Sequence, residues 1–458
     1  MTEEILQLLE SKRYAALRRE LAEMKPMDLA PVFEELDNEK RTLLFRLLPK
    51  ELAADTFVEL DADMQQQLIK NFSDNELKAV VDELYLDDAV DIIEEMPANV
   101  VKRILRQSDS NTRRAINELL KYPKDSAGSL MTPEFVDLKK DMTVKQAFEH
   151  IRKTGIDKET VYTCYCIDSN RKLEGVVTVK DLLLADGTKL IKDIMEDNVI
   201  SANTLDDKED VARLFHKYDF SVVPVVDKEN RLVGIVTFDD AMDVIEDENT
   251  EDIEKMAAII PNDKPYLKTG VFETFKKRIP WLMILMVSAT FTGAIISGFE
   301  DKLKSIVVLT SFIPMLMDTG GNSGSQAAVT VIRGLSLEEI RFSDLAKVLL
   351  KELRVGFICG ISLASVNFVK ILTVDHFMLN TFSGYNIGSV CLIAGTVCLT
   401  VVFTVIIAKL VGCSLPIFAS AVHLDPAVMA SPFITTIVDA ISLLIYFGMT
   451  NILLQPML

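Results

Sequence analysis

Histidine and cysteine are scarce in this 458-residue chain, and each scarcity excludes a class of protein. The four histidines (His150, His216, His376 and His423) form no H-E-x-x-H motif, which argues against a membrane-embedded metalloprotease. No nucleotide-hydrolysis motif is present, which argues against an ATP-driven pump. The six cysteines lie in or beside apolar runs or in a predicted cytosolic strand, which indicates small buried hydrophobic residues and no disulfide framework. We therefore expect a protein that is not an enzyme.

Basic residues are outnumbered by acidic residues only in the first part of the chain. The sequence has 49 Lys+Arg and 68 Asp+Glu, a formal net charge of −19. From Phe272 onward there are 12 Lys+Arg and 11 Asp+Glu, so the preceding part has 37 and 57, and the two net charges are +1 and −20. Because 49% of all residues are hydrophobic, we expect an acidic, water-facing front and an apolar, nearly neutral back. Nothing in this balance predicts a nucleic-acid partner.

The back part contains five apolar runs, each long enough to cross about 30 Å of hydrocarbon as a helix. The runs are Pro280–Phe299, Ser305–Ile332, Leu345–Leu372, Ile387–Val411 and Ala427–Leu454. Basic residues precede the first run and follow the second, whereas the loops after the first and third runs carry fewer. The positive-inside rule therefore predicts a cytoplasmic N-terminus and, after five spans, a C-terminus outside. We expect no cleavable signal peptide, because the first apolar run lies far from Met1.

The acidic front begins with a repeat of 12 residues, between residues 33 and 96. Each copy has two apolar residues three positions apart, as in FEEL at Phe33 and FVEL at Phe57, which is one helical face. Most copies are followed by a helix-starting residue: Asp37, Pro49, Asp61, Ser73 and Pro97. The pattern predicts one short helix per repeat, stacked into a small superhelix.

One turn of this superhelix is unusually acidic. Asp87, Asp88 and Asp91 lie within a single helical turn of the segment YLDDAVDIIEEMP. Two interpretations stay open at this point, a solvated helix face and a weak divalent-cation site.

A second repeat follows, in which LEGVVTVKDLL (residues 173–183) matches LVGIVTFDDAM (residues 232–242) position by position. This duplication resembles a tandem pair of cystathionine-β-synthase (CBS) domains, which are α/β regulatory modules. In many such pairs an [ST]-x-x-D step contacts the ribose of an adenine nucleotide, and the matching residues are Thr178 with Asp181 and Thr237 with Asp240. The same pattern also starts helices, so nucleotide binding and plain helix capping are both open.

The segment DDAMDVIEDENTEDIEKM links the CBS pair to the apolar runs. On a helix, five of its acidic side chains form one stripe, and Met242, Ile245, Ile253 and Met256 lie on the opposite side. The stripe consists of Asp240, Asp243, Asp247, Glu251 and Glu254. Stacked carboxylates repel one another, and a divalent cation would remove that cost, so the stripe is either a solvated face or a cation site.

Asp439 is the acidic residue inside the fifth apolar run. A carboxylate in the middle of a bilayer costs at least about 2.5 kcal/mol on insertion scales, so such groups usually line water or meet a partner. The alternatives are a protonated aspartate hydrogen-bonded to a neighbouring helix and a ring of charge in a water-filled ion path. The second run contains Asn322 and Gln326 among several glycines, which predicts a span that faces protein or a pore.

Three motifs together resemble the MgtE family of magnesium channels: DTGGNSGSQ, LDPAVMASPFITTIVD and YPKDSAGSLMT. The resemblance covers essentially the whole chain. It implies a helical N-terminal superhelix, a tandem CBS pair, an acidic connecting helix and a five-helix transmembrane domain, a multidomain α+β membrane protein. We place these at residues 1–130, 131–238, 239–271 and 272–458. It further implies a homodimer in a lipid bilayer, in a bacterial-type inner (plasma) membrane.

The resemblance also assigns roles to residues. It implies that Asp439 holds a hydrated Mg²⁺ in the pore, that Asp425 lies at the cytoplasmic mouth, and that Asn322, Gln326 and Thr435 line the pore. Ser431, just before a proline, is a further candidate ligand at the pore and its mouth. Family members often have Asn at this position, so this chain departs from the pattern there. Regulatory Mg²⁺ would be bound by acidic residues of the front, namely Asp91, Asp207, Glu209, Asp219, Asp240, Asp243, Glu248, Glu251 and Asp252.

We therefore expect a Mg²⁺-selective channel for magnesium uptake that cytosolic Mg²⁺ closes, with ATP as a second candidate regulator. An anion channel with CBS domains would need a basic or amide-lined pore, and the carboxylate of Asp439 argues against such a pore. A broader divalent-cation transporter, for Co²⁺ or Mn²⁺, is the main alternative. Because all the candidate ligand atoms are oxygens, a hard cation such as Mg²⁺ is favoured, but transport of Co²⁺ or Mn²⁺ is not excluded.

Overall fold

A computed structural model describes residues 2–262, 264, 266–429 and 431–455, without the side chains of residues 2, 3, 157, 302 and 431. The chain divides into two compact units, Met1–Ile245 and Glu246–Leu458.

The first unit begins with ten short helices. They are α1 (Thr2–Glu10), α2 (Tyr14–Glu23), α3 (Pro26–Glu34), α4 (Asn38–Phe45), α5 (Lys50–Val58), α6 (Ala62–Asn71), α7 (Asp74–Val81), α8 (Leu86–Glu95), α9 (Ala98–Gln107) and α10 (Ser110–Leu119). From α3 to α9, each helix packs against the helix two places along the chain in at least one direction. The 12-residue repeat therefore forms one helix per copy, as predicted.

Each predicted helix-starting residue of the repeat is found at an N-cap. The carboxylates of Asp37 and Asp61 accept backbone N–H groups of Lys40 and Met64, and Pro49 and Pro97 occupy the same position before α5 and α9. Ser73 closes a capping box with Glu76, in which each side chain bonds the other's backbone N–H. These caps satisfy N–H groups that the short helices leave unpaired.

Two three-stranded sheets follow, built alike. The first contains β1 (Val136–Leu138), β2 (Thr163–Ile167) and β3 (Leu173–Thr178), and the second contains β4 (Ala202–Asn203), β5 (Val222–Val226) and β6 (Leu232–Thr237). In each sheet the first pair is parallel and the second antiparallel, with the strands in the order of the chain. The helices are α11 (Ala127–Leu130), α12 (Val144–Thr154), α13 (Val179–Leu184), α14 (Lys208–Tyr218) and α15 (Phe238–Met256). The predicted duplication is confirmed.

The connecting helix α15 continues from the second sheet for 19 residues. Its inward face differs from the prediction in one respect. Ala241 and Val244 are buried, whereas Met242 and Ile253 are exposed. Ile245 and Met256 each pack partly against an apolar cluster, whereas Met242 and Ile253 have no core beside them.

The second unit consists of long helices: α16 (Val271–Gly298), the short α17 (Glu300–Ser305), α18 (Ile313–Ser336), α19 (Leu345–Lys370), α20 (Ile387–Ala421) and α21 (Ser431–Leu453). Among the described residues, four segments are long and apolar enough to cross a membrane, Val271–Gly298, Phe342–Met378, Ile387–Ala421 and Pro426–Leu453. They correspond to the first, third, fourth and fifth predicted runs. The second run forms α18, whose glycines and polar side chains lower its hydropathy, although 24 residues span about 36 Å.

Glycine contacts bring α18 and its neighbours close together. A Cβ added to Gly412 of α20 would lie 2.2 Å from the carbonyl oxygen of Gly324 in α18. On the side of α21, Gly320 meets Ser442 and Val438. Small residues at these positions allow the backbones to approach, which is how helices pack where lipid supplies no hydrophobic drive between them.

Candidate ion path and acidic cluster

The helix α18 has one packed side and one open polar side. Its small residues Gly320, Gly321 and Gly324 are buried against α20 and α21, whereas Asp318, Asn322 and Gln326 are exposed. These three polar residues are spaced by four, so they lie on one face of the helix. The amide of Asn322 donates to the Asp318 carboxylate at 3.0 Å. We call Asp318, Asn322 and Gln326 the polar stripe.

Asp439 lies where α21 crosses this helix. Its neighbours Val438 and Ser442 pack against Gly320, while Asp439 itself is half-buried and interacts electrostatically with Asp318. Thr435, one turn earlier, packs against Gly321, and its hydroxyl donates to the carbonyl of Pro432 at 2.9 Å. The carboxylate predicted from the fifth run is thus next to Asp318 of the polar stripe, whose other two members were predicted from the second run.

Asp425 precedes α21 at the start of a short 3₁₀ turn, Pro426–Met429. One oxygen, Oδ1, accepts the N–H of Ala427 at 2.8 Å, and Oδ2 lies 2.6 Å from the ammonium of Lys255 in α15. The carboxylate is therefore held by a turn on one side and by a cation on the other. Ser431 begins α21, but its side chain, for which pore coordination was predicted, lies outside the described residues.

In the first unit, carboxylates from α8, α15 and the turn before β2 crowd around Asp240. We call Asp87, Asp88, Asp91, Glu159 and Asp240 the acidic cluster. Asp240 is a repelling neighbour of each of the other four. The Oδ1 atom of Asp87 and the Oε2 atom of Glu159 are buried without a hydrogen-bond partner among the described residues. Unpaired buried oxygens of this kind are costly unless a cation or a proton compensates them.

Desolvation and mutual repulsion raise the pKa values in this cluster. Burial first, then repulsion by Asp240, raises the pKa of Asp88 to about 6. Burial first, then repulsion by Asp240, raises the pKa of Asp91 to about 7. Burial first, then repulsion by Asp239 and Asp240, raises the pKa of Glu159 to about 7. Burial likewise raises the pKa of Asp240 to about 6, although the hydrogen bond that Asp240 accepts from the Thr237 hydroxyl acts to lower it.

The remaining predicted regulatory ligands do not all meet. Asp207 caps the first turn of α14 by accepting the N–H of Glu209, and Glu209 contacts Arg213. Asp219 is the C-cap of the same 11-residue helix, with a φ of +55°, so it lies about 18 Å from Asp207 along the axis. Asp243 of α15 is a repelling neighbour of Glu59, while Glu248, Glu251 and Asp252 lie farther along that helix.

Within residues 2–262, 264, 266–429 and 431–455, no three His, Cys, Asp or Glu side chains are grouped as a metal site. The acidic cluster is crowded without being a formed coordination shell.

The two [ST]-x-x-D steps of the CBS pair act as helix caps. Thr178 and Asp181 form a capping box at the start of α13, with bonds of 3.1 and 3.2 Å between each side chain and the other's backbone N–H. The hydroxyl of Thr237 donates to Asp240 at 2.6 Å at the start of α15. The capping interpretation accounts for these contacts, and the nucleotide interpretation stays a prediction.

Four residues of these sites were absent from the predicted ligand set. Asp87 and Asp88 stood in the acidic turn that the sequence singled out, and Asp318 could have been found from its spacing of four to Asn322 and of eight to Gln326. Glu159 carries no comparable signal, because it is a single acidic residue in a turn that only the fold brings to Asp240.

Comparison with known proteins decides the family. Residues 24–125 match the family described as "MgtE intracellular N domain", residues 127–187 and 191–247 match the CBS domain, and residues 313–449 match the family described as "Divalent cation transporter". The chain is 36% identical over 444 residues to "Magnesium transporter MgtE" of Thermus thermophilus, which is 96% of this chain and 95% of the relative. The chain belongs to the MgtE family.

Other relatives agree. "Magnesium transporter MgtE" of Bacillus subtilis is 32% identical over 451 residues, 98% of this chain and 96% of the relative. The solved "cytosolic domain of the Mg2+ channel MgtE in complex with ATP" is 38% identical, with a TM-score of 0.52, and covers 53% of this chain and 100% of that one. The predicted resemblance and fold class are confirmed. Because MgtE proteins are divalent-cation transporters of membranes, this chain is not an enzyme.

Proposed function

We propose that this MgtE-family transporter is a Mg²⁺-selective channel for magnesium uptake. The observation that carries the proposal is the half-buried Asp439 next to the polar stripe, at a helix crossing made by glycine. A fully packed carboxylate would favour the structural alternative, a protonated aspartate bonded to a neighbouring helix. An acidic residue that keeps an open side next to another carboxylate and an amide favours an ion path.

The chemistry of Mg²⁺ fits such a path. Mg²⁺ gives up its water reluctantly and prefers octahedral oxygen ligands, so carboxylates can hold it through its hydration shell. In the homodimer that we propose, two copies of Asp439 face each other across a two-fold axis, with Asp318, Asn322, Gln326 and Thr435 around them. A divalent ion gains about 4.6 kcal/mol per 100 mV of membrane potential, which suffices to drive entry.

Uptake by a cell that lacks its own Mg²⁺ uptake systems tests the pore. Asp439→Asn removes the charge and keeps the size, and we expect growth to require added Mg²⁺ as in the empty host. The matched control is Asp301→Asn, the same change at a fully exposed residue of α17. If Asp439→Asn sustains Mg²⁺ uptake equal to that of the unchanged protein, Asp439 is not a pore ligand.

The acidic front is, in our proposal, the sensor. At low cytosolic Mg²⁺ the carboxylates of the acidic cluster and of α15 repel one another and the path opens. At high Mg²⁺, ions bridging these carboxylates close it, and the differential binding of several ions supplies the coupling energy. The proposed sensor includes Asp87 and Glu159 in addition to Asp91, Asp207, Glu209, Asp219, Asp240, Asp243, Glu248, Glu251 and Asp252.

Limited proteolysis of the purified protein tests this sensor. We expect Mg²⁺ to slow cleavage of the linker that follows α15, and Asp240→Asn to require more Mg²⁺ for the same protection. Cleavage rates that do not depend on Mg²⁺ would contradict the sensor, whereas the uptake experiment would still decide the pore.

ATP is a second proposed regulator. The support is a solved MgtE cytosolic domain described as a complex with ATP, together with the two capping steps Thr178 with Asp181 and Thr237 with Asp240. Titration with ATP, followed by thermal stability, tests it in the unchanged protein and in Thr178→Val. If ATP stabilises the unchanged protein and Thr178→Val equally, Thr178 is not part of the ATP site.

The alternative is a broader transporter that also carries Co²⁺ or Mn²⁺. The acidic and amide oxygens along the path favour a hard cation, and competition between Mg²⁺ and these ions in uptake measures the preference directly. We place the N-terminus in the cytoplasm and the C-terminus outside a bacterial-type inner membrane, on the positive-inside argument. Labelling of cysteines introduced next to the C-terminus tests that orientation.

A further inference from the structure

Lys255 is the only basic residue of α15, a helix that carries nine acidic ones. It lies in the last turn of the helix. Its ammonium contacts Glu251 of the same helix and lies 2.6 Å from Oδ2 of Asp425, the residue proposed for the pore mouth. The cation thus stands between two carboxylates that were both assigned to Mg²⁺.

This ion pair differs from a loose surface pair. The side chains of Lys255, Glu251 and Asp425 are only 24%, 36% and 34% exposed. The ammonium of Lys255 is held by both carboxylates at once. Because Oδ1 of Asp425 caps the turn at Ala427, the carboxylate is oriented and offers Oδ2 to a cation.

The neighbouring residues hold the end of α15 in the same place. Met256 packs on an apolar cluster contributed by α18, α20, α21 and the turn before α21, namely Ala328, Ile332, Ala408, Ala427, Ile434 and Val438. Glu254 accepts the N–H of Asn262 at 2.7 Å, and Lys277 of α16 donates to the Asn262 side chain at 2.7 Å. The ion pair of Lys255 is therefore accompanied by the apolar packing of Met256 and by the hydrogen bonds of Asn262, which hold the end of α15 in place.

We infer that Lys255 is a tethered cation that occupies Asp425 whenever α15 lies against the mouth. Oδ2 of Asp425 can accept the ammonium or a hydrated divalent ion, so the two exclude each other. A permeating ion can use Asp425 only after α15 has moved away. The ammonium also supplies an attraction that needs no Mg²⁺, so it lowers the cytosolic Mg²⁺ concentration at which the path closes. This inference rests on the proposed function.

Mg²⁺ flux into proteoliposomes holding the full-length protein, measured at a series of Mg²⁺ concentrations on the cytosolic side, tests the inference. We expect Lys255→Met to raise the Mg²⁺ concentration for half-closure by about fivefold, the lower end of the range for coupled sites. Lys255→Gln should act alike, which guards against a variant that folds poorly. Lys255→Arg keeps the charge and should stay within about twofold of the unchanged protein, as for a pair that is not geometrically demanding.

A double-mutant cycle assigns the effect to the contact with Asp425. In an Asp425→Asn background, Lys255→Met should produce no further shift, because the partner charge is already gone. A shift of the same size in both backgrounds would overturn the inference, and so would an unshifted Lys255→Met. If instead the unchanged protein failed to close with Mg²⁺, the proposed sensor would be wrong; retained closure with an unshifted variant overturns the tethered cation alone.

Discussion

The two compact units of this transporter treat negative charge in opposite ways. In the first unit, four carboxylates crowd around Asp240, and buried oxygens of Asp87 and Glu159 have no partner among the described residues. In the second unit the acidic residues at the candidate path are few, and two of them have a compensating neighbour, Asn322 for Asp318 and Lys255 for Asp425. In our proposal, crowding lets the first unit respond to several weakly bound cations, whereas sparse, oriented carboxylates in the second unit suit the passage of one ion.

The units also differ in what holds them together. The superhelix and the CBS pair are built from large buried side chains such as Phe33, Phe57 and Tyr165, and from capped helix starts. The path is built on glycine contacts, in which backbones approach closely. We therefore expect substitutions in the first unit to lower stability by small amounts, and substitutions at the glycine contacts of the second unit to abolish folding or flux. The following substitutions test this difference, from the largest expected effect to the smallest.

Gly412→Val should have the largest effect. The new side chain begins 2.2 Å from the carbonyl oxygen of Gly324, so α18 and α20 must separate. Overpacking of this kind costs about 1–3 kcal/mol or more, and we expect little monodisperse protein in detergent and no flux. The control is Gly395→Val in the same helix, where an added Cβ meets nothing within 4 Å. Equal yields of the two variants would show that the close approach is not required.

Asp318→Asn should reduce flux without loss of protein. It removes the carboxylate that interacts with Asp439 and keeps a side chain to which Asn322 can bond. We expect uptake at low external Mg²⁺ to fall by about tenfold, which corresponds to about 1.4 kcal/mol. Asp301→Asn is again the control. If uptake is unchanged, Asp318 does not take part in the ion path, and Asp439 remains the carboxylate proposed for it.

Asp240→Asn tests the crowding in the first unit. Since Asp240 is a neighbour of all four other members of the acidic cluster, its neutralisation relieves repulsion. Without divalent ions the variant should melt at a higher temperature than the unchanged protein, and Mg²⁺ should stabilise it less. Asp197→Asn, at an exposed residue of the same unit, should change neither quantity. A variant that melts at a lower temperature without divalent ions would contradict the account of repulsion.

The pH dependence of stability follows from the raised pKa values of Asp88, Glu159 and Asp240, at about 6, 7 and 6. Between about pH 4 and 7 the folded state binds more protons than the unfolded state, so stability falls as pH rises. In a chelator, the melting temperature should thus drop between pH 6 and 8, by roughly 2–4 °C for each kcal/mol lost. Mg²⁺ should restore more stability at pH 8 than at pH 6; equal restoration at both would argue against cation binding by these groups.

Ser73→Ala should have the smallest effect. It removes the capping box at the start of α7 and should cost about 1 kcal/mol of unfolding free energy in denaturant titration, with flux unchanged. Ser73→Asp retains a capping oxygen and should unfold like the unchanged protein. A loss of flux in Ser73→Ala would mean that the superhelix is less tolerant than its repeated construction indicates.

Much of the fold could be predicted because its signals are local. The 12-residue period, the caps at Asp37, Asp61 and Ser73, and the paired segments at residues 173–183 and 232–242 all depend on short stretches of chain. The site was predicted less completely. Asp439 stood out because a charge in an apolar run is anomalous wherever it occurs, whereas Glu159 and Asp318 acquire meaning only from neighbours on other elements. Asp207 and Asp219, grouped by resemblance, lie at opposite ends of α14.

The amino-acid sequence by itself determined the helical repeat, the CBS duplication, the acidic connecting helix and the anomalous carboxylate, because periodicity, capping and hydropathy act over a few turns of chain. Only the tertiary structure decided which carboxylates meet around Asp240, which side of α18 is packed by glycine and which is polar, and that Lys255 contacts Asp425. Those contacts join residues far apart in the chain, and electrostatic energy depends on the distance between charges in space.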